Sequence, residues 1–275
     1  IDKKEEKKVD PDADPDEPKG DPKNEVKEDK NEEKKPEPKR VDLANNKLLV
    51  EHIALLYATG QAGKVNAALP LHKEIQGYVP AVVCRGHAEG NARKGNYEEA
   101  REIAKRGATS RDRVDASCGV ALVALDAHRP ADAKPSAEDA VAAYHDLKKT
   151  LEEIPDWLVI QLVRVCARSG LAKEAKEIAT TLPEKAAKGT KAMVQLEMFL
   201  GELDATSGPV PISLLDAIIE DKSSLVYGLG LERMARHNTH SGQHAEMLAQ
   251  ASTVQDANKP FVLVGVAVAA VEPGK

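Results

Sequence analysis

The sequence predicts an all-α protein made of about six stacked helix pairs behind an unfolded tail, and three observations carry that expectation. An alanine recurs inside one local phrase, at Ala68, Ala100, Ala140, Ala175 and Ala245. The clearest copies are Gly95-Asn-Tyr-Glu-Glu-Ala100-Arg-Glu-Ile-Ala104 and Gly170-Leu-Ala-Lys-Glu-Ala175-Lys-Glu-Ile-Ala179, which set a unit of about 35 residues. Beyond Val41, apolar residues return at helical spacing and Gly or Pro punctuates them at short intervals. A helix pair of that size cannot bury its apolar face alone, so it must stack on its neighbours.

The elements follow in order. Residues 1–40 mix charges of both signs with many prolines and almost no apolar side chains. Such a stretch cannot bury enough surface to offset the entropy of ordering, so it reads as a disordered linker, and 41–275 as the folded domain. The first helix is expected from Leu43 to Tyr57, stopping at Thr59-Gly60-Gln61-Ala62-Gly63. A second runs through Ala67, Ala68, Leu71 and Ile75 to about Gly77. Pro80 suits a first helical turn, so the next helix spans Ala81 to Arg93; Gly95 ends it, and Tyr97–Lys105 is its partner. Further helices are expected at 111–127, 136–151, 155–169, 171–181, 186–206, 211–220, 224–237, 241–251 and 260–271. A loop from His128 to Lys134 accommodates the long interval between Ala100 and Ala140. Phe261–Val271 is wholly apolar and is read as a helix, because an isolated final strand would have nothing to pair with.

Composition narrows the role. A net charge of −6 and a pI near 5.8 disfavour a nucleic-acid partner, which needs a basic surface. Cys84, Cys118 and Cys166 each fall in an apolar helical run and form no Cys-x-x-Cys pair, so they read as buried free thiols. The apolar run at 261–271 is short of the roughly 20 residues that span a bilayer, so no membrane span is expected. The chain begins with Ile, as a processed form or an excised piece does, and a cell-envelope or secreted location is favoured over the cytoplasm.

The phrase Lys94-Gly95-Asn96-Tyr97-Glu98-Glu99-Ala100 resembles the turn and second-helix start of tetratricopeptide (TPR) repeats, and Arg168-Ser169-Gly170-Leu171-Ala172-Lys173-Glu174-Ala175 is a looser match. The resemblance is to the divergent, TPR-like bacterial kind, since the family's large aromatics are mostly missing and Ser213 replaces one alanine. It implies a right-handed α-solenoid whose first helices line a concave groove that binds a protein or peptide, without catalysis or cofactor. Counting back 18, 15 and 11 residues from Ala68, Ala100, Ala175 and Ala245 places Tyr57, Arg85, Glu89, Trp157, Arg164 and Tyr227 in that groove. The family's clamp for a terminal carboxylate is not expected, because Arg85 is followed by Glu89 where an Asn belongs, and Ile160 replaces a basic residue.

The alternative is a metal-dependent helical enzyme. His237, His240 and His244 are the one metal-like cluster, with Glu232 or Glu246 as the further ligand, but the segment straddles an expected turn at Gly242. Glu98-Glu99, Glu152-Glu153 and Asp204 read as helix-start charges. No phosphate loop, nucleophile elbow or His-Glu-x-x-His occurs. Finally, the apolar face at 261–271 is expected to be covered, by tucking under its neighbours or by packing against a second copy of the chain or a partner, since solenoid ends normally turn a polar face outward.

Overall fold

The computed structural model describes residues 43–69, 79–150 and 153–272. The expected tail at 1–40, the end of the second helix at 71–77 and Glu152 lie outside these. Thirteen α-helices are present and no strand occurs among the described residues. They are α1 (Leu43–Ala58), α2 (Val65–Ala68), α3 (Val79–Arg93), α4 (Tyr97–Ala104), α5 (Ser110–Asp126), α6 (Pro130–Lys148), α7 (Asp156–Arg168), α8 (Ala172–Ala179), α9 (Lys188–Ala205), α10 (Ser213–Ile218), α11 (Leu225–His240), α12 (His244–Ala251) and α13 (Lys259–Val271).

Local chemistry explains most of the boundaries. The Thr109 side chain accepts from the Asp112 N–H while the Asp112 carboxylate accepts from the Thr109 N–H, a capping box that starts α5. Ser224 caps α11 by accepting from the Tyr227 N–H. One turn recurs five times. Gly60, Gly95, Gly170 and Gly242 have φ between 74° and 90°, and His128 takes the same left-handed conformation at 56°. In each case the next N–H donates five residues back, from Gln61 to Leu56, Asn96 to Asn91, Arg129 to Ala124, Leu171 to Cys166 and Gln243 to Asn238. This is the Schellman closure, which satisfies carbonyls that the helix end leaves open.

That turn corrects the register read from the alanines. Five residues beyond each left-handed residue stand Val65, Ala100, Ala133, Ala175 and Met247, all buried. Ala100 and Ala175 therefore hold the inferred position. In the α6 unit it belongs to Ala133, with Ala140 two turns further on, and in the α12 unit to Met247, while Ala245 is exposed. The loop expected at 128–134 is correspondingly short. Helix α6 opens at Pro130, whose missing N–H costs nothing in a first turn, and Pro135 falls inside the helix. Asp204 sits in the last turn of α9, not at a helix start, because it pairs with Arg168 of α7 at 2.8 Å.

Packing follows chain order. Helices α1, α3, α5, α7, α9, α11 and α13 each pack on the next in that series, and apart from marginal contacts no helix among the described residues touches one more than two places away. Small residues allow the close approach. A Cβ on Gly86 or Gly90 of α3 would strike Ile53 or Tyr57 of α1, one on Gly119 of α5 would strike Glu89, and one on Gly201 of α9 would strike Ala167. The apolar interior is correspondingly divided into four successive clusters: α1 with α3, then α3 to α5, then α5 to α9, then α9 to α13. No helix among the described residues is long and apolar enough to cross a membrane.

Candidate functional site

Helices α3, α5 and α7 carry a polar row across their two junctions. Arg85 of α3 donates to Glu89 one turn on at 2.7 Å and to Asp115 of α5 at 2.5 Å. Asp115 also accepts from Gln161 of α7 at 3.3 Å. One turn earlier on the same two helices, the Arg111 guanidinium lies over the Trp157 ring, 5.7 Å from its centroid. Arg111 and Asp115 of α5 thus face Trp157 and Gln161 of α7 in register, and Arg85 ties the pair to α3. At the other edge of α3, Tyr57 of α1 stacks on His87 with ring centroids 3.9 Å apart.

Other charges along this row are spent on holding helices together. Arg164 of α7 pairs with the buried Glu197 of α9 at 2.5 Å, and Arg168 one turn on pairs with Asp204. Arg236 and His240 occupy the same two positions before Gly242 and both meet Glu272, at the end of α13. Arg93 reaches back to Glu51 of α1 at 2.5 Å. For the buried Glu197 such a partner is essential, because a buried carboxylate without one would be costly. Burial alone lowers the Arg85 and Arg164 pKa values, but Asp115 and Glu89 in one case and Glu197 in the other more than reverse it.

Of the residues the sequence singled out, the structure joins Arg85 to Glu89, Trp157 to Arg111, Arg164 to Glu197 and Tyr57 to His87. Tyr227 is not with them. It is buried in the α9–α13 cluster, donates its hydroxyl to Asp216 at 2.7 Å, and lines a cavity of about 320 Å³ with Lys222, Gln250 and Asn258. Desolvation and the Asp216 carboxylate both push its pKa up. With Gly242 as anchor, the α11 positions equivalent to Trp157, Ile160 and Arg164 are Leu229, Glu232 and Arg236, all half-buried. Sequence reasoning missed Arg111, Asp115, Gln161 and Glu197. Glu197 had a readable signal: it is a lone charge in the apolar run Met193–Leu200, and such a charge needs a cation.

The histidines do not converge. His237 Nε2 lies 2.7 Å from the Gly208 carbonyl, His240 meets Glu272 at 3.1 Å, and His244 is exposed at the start of α12. Beside them the buried Asn238 bonds both the N–H and the C=O of Val210 at 2.8 Å, so the segment staples the loop before α10. Among the described residues no group of three His, Cys, Asp or Glu is placed to hold a metal ion. The three cysteines are free thiols, and burial raises all three, Cys166 to about 12. Cys84 donates to the Ile103 carbonyl at 3.3 Å. No protein-family model, curated protein or solved structure matches this chain.

Proposed function

We propose that the chain is a TPR-like solenoid of helix pairs that binds a protein or peptide partner, without catalysis, across α3, α5 and α7. The observation that carries this is the α5–α7 junction, where Trp157 under Arg111 adjoins the Arg85–Asp115–Gln161 row. Tryptophan and arginine are the side chains that most often anchor interfaces, and here both are held in place before any partner arrives, which lowers the entropy lost on binding. The recurring left-handed turn and the succession of odd-numbered helices support the repeat architecture. A junction that spans successive helices suits an extended ligand.

Selection of a random displayed-peptide library on the immobilised full chain tests this. Selected peptides should lose more than about 1 kcal/mol of binding to Trp157→Ala and to Arg111→Ala. Peptides that bind both folded variants as well as the parent place the site elsewhere.

A further inference from the structure

The cavity beside Tyr227 lies between α10, α11 and the segment that joins α12 to α13, and takes no residue from the α5–α7 junction. Its volume, about 320 Å³, is that of a small-molecule pocket, the range of which starts at roughly 300 Å³. Its wall is rich in side chains that donate to the protein and keep an oxygen with which to accept. Tyr227 donates its hydroxyl to Asp216 at 2.7 Å, Thr253 donates to the Gln250 carbonyl at 2.9 Å, and the Asn258 amide donates to the Lys222 carbonyl at 2.8 Å. The side-chain oxygen of each retains lone pairs. Gln250, on the same wall, carries the stronger demand. Its Oε1 is closed off from bulk solvent and has no hydrogen-bond partner among the described residues. Such an oxygen is costly to bury unless something supplies a proton to it.

The charges set the rest of the chemistry. Lys222 Nζ lies 2.7 Å from Asp216 Oδ2, so the two together bring no net charge to the wall. Lys222, helped by Tyr227 and against burial, holds the Asp216 carboxyl below its usual range. Desolvation and that carboxylate in turn keep the Tyr227 phenol protonated, so its oxygen stays an acceptor. The half-exposed Lys222 ammonium has N–H donors beyond the one that faces Asp216. Ile212 and Val254 supply apolar surface.

We propose that this cavity binds a free α-amino acid, with its ammonium against the oxygens of Tyr227, Gln250, Thr253 and Asn258 and its carboxylate on Lys222. An ammonium offers only N–H donors, which is what an acceptor-rich wall with an orphaned buried oxygen calls for. A simple amine would leave its charge uncompensated beside Lys222, and a simple acid would set its carboxylate against Asp216 and the same oxygens. A zwitterion avoids both costs, because its two charges cancel as those of Asp216 and Lys222 do. The ligand side chain then lies on Ile212 and Val254.

Isothermal titration of the full chain with each proteinogenic L-amino acid tests this. At least one should bind with a Kd of about 1 mM or tighter, and its N-acetyl derivative and its methyl ester should each bind at least about tenfold more weakly. Gln250→Leu and Tyr227→Phe should each weaken binding at least about tenfold with an unchanged helical circular dichroism spectrum, while Trp157→Ala keeps the parental affinity. Gln250→Leu removes an oxygen that bonds nothing among the described residues, so the fold does not depend on it. No binding of any amino acid up to about 10 mM overturns the inference, since water alone then fills the cavity. An amino acid whose N-acetyl form binds as tightly, or whose affinity neither variant changes, overturns it too. Either result leaves peptide binding at the α5–α7 junction untouched.

Discussion

His87 is held against Tyr57 between α1 and α3, and its surroundings favour the neutral ring. Desolvation lowers its pKa below the ordinary 6.5, with Arg106 and Lys94 acting the same way and Glu99 opposing. The folded chain then binds fewer protons at this position than the unfolded one, so stability falls as pH drops through about 6.5 and downward. Thermal melts between pH 7.5 and 5.5 should show that fall, and His87→Gln should flatten it; an unchanged slope would assign it to other groups. Asp216 titrates in a separate window. The Lys222 hydrogen bond, against burial and with help from Tyr227, holds its carboxyl below the ordinary value of 3.8, and that contribution is lost only as pH falls further. The alanines give a sharper test of position. Ala100→Leu and Ala175→Leu overpack closed sites and should each cost about 1–3 kcal/mol, whereas Ala245→Leu on an open surface should change stability by less than about 0.5 kcal/mol. Equal effects at all three in denaturant melts would remove the register argued from the turns. Ala245 was misplaced for a simple reason. The buried position in α12 is filled by Met247, so a search for the letter alanine slides two residues along the helix.

Turns, more than helix interiors, set the units. Gly95 and Gly170 were readable because glycine tolerates a left-handed backbone, whereas His128 carries no such mark in its letter. The sequence consequently predicts a long loop and a late helix start for its unit. The strain that makes His128 unreadable also makes it testable. A non-glycine residue in that conformation costs roughly 1–2 kcal/mol, part of which glycine's extra entropy takes back. His128→Gly should therefore stabilise the chain by up to about 1 kcal/mol, and Gly95→Ala, with φ of 84°, should destabilise it by about 1 kcal/mol or more. Opposite signs in the two melts support a shared turn, and a destabilised His128→Gly would deny it. The helices themselves were legible from apolar spacing, including α13. The glycines that let odd-numbered helices meet closely were not, because Gly86, Gly90, Gly119 and Gly201 look in sequence like weak points of a helix.

Among the described residues, contacts run between neighbours and the apolar interior comes in successive clusters, so disturbance at one end should stay local. Met247→Ala removes a buried side chain from the α9–α13 cluster. Hydrogen exchange on that variant should speed up in α11, α12 and α13 and keep its parental rate in α3 to α6. Uniform acceleration would describe one cooperative unit and not a series of pairs. The candidate surface was half legible. Arg85, Trp157 and Arg164 could be placed by their offsets from Ala100 and Ala175, but their partners Asp115, Arg111 and Glu197 come from adjacent units whose register the alanines did not give. The claim that this surface binds an extended partner is tested most directly by a hydrogen-exchange footprint of a library-selected peptide on the full chain. Slowed exchange should concentrate in α3, α5 and α7 around Arg85, Arg111 and Trp157. A footprint confined to α10–α13, near the Tyr227 cavity, or no footprint at a saturating peptide concentration, would contradict it.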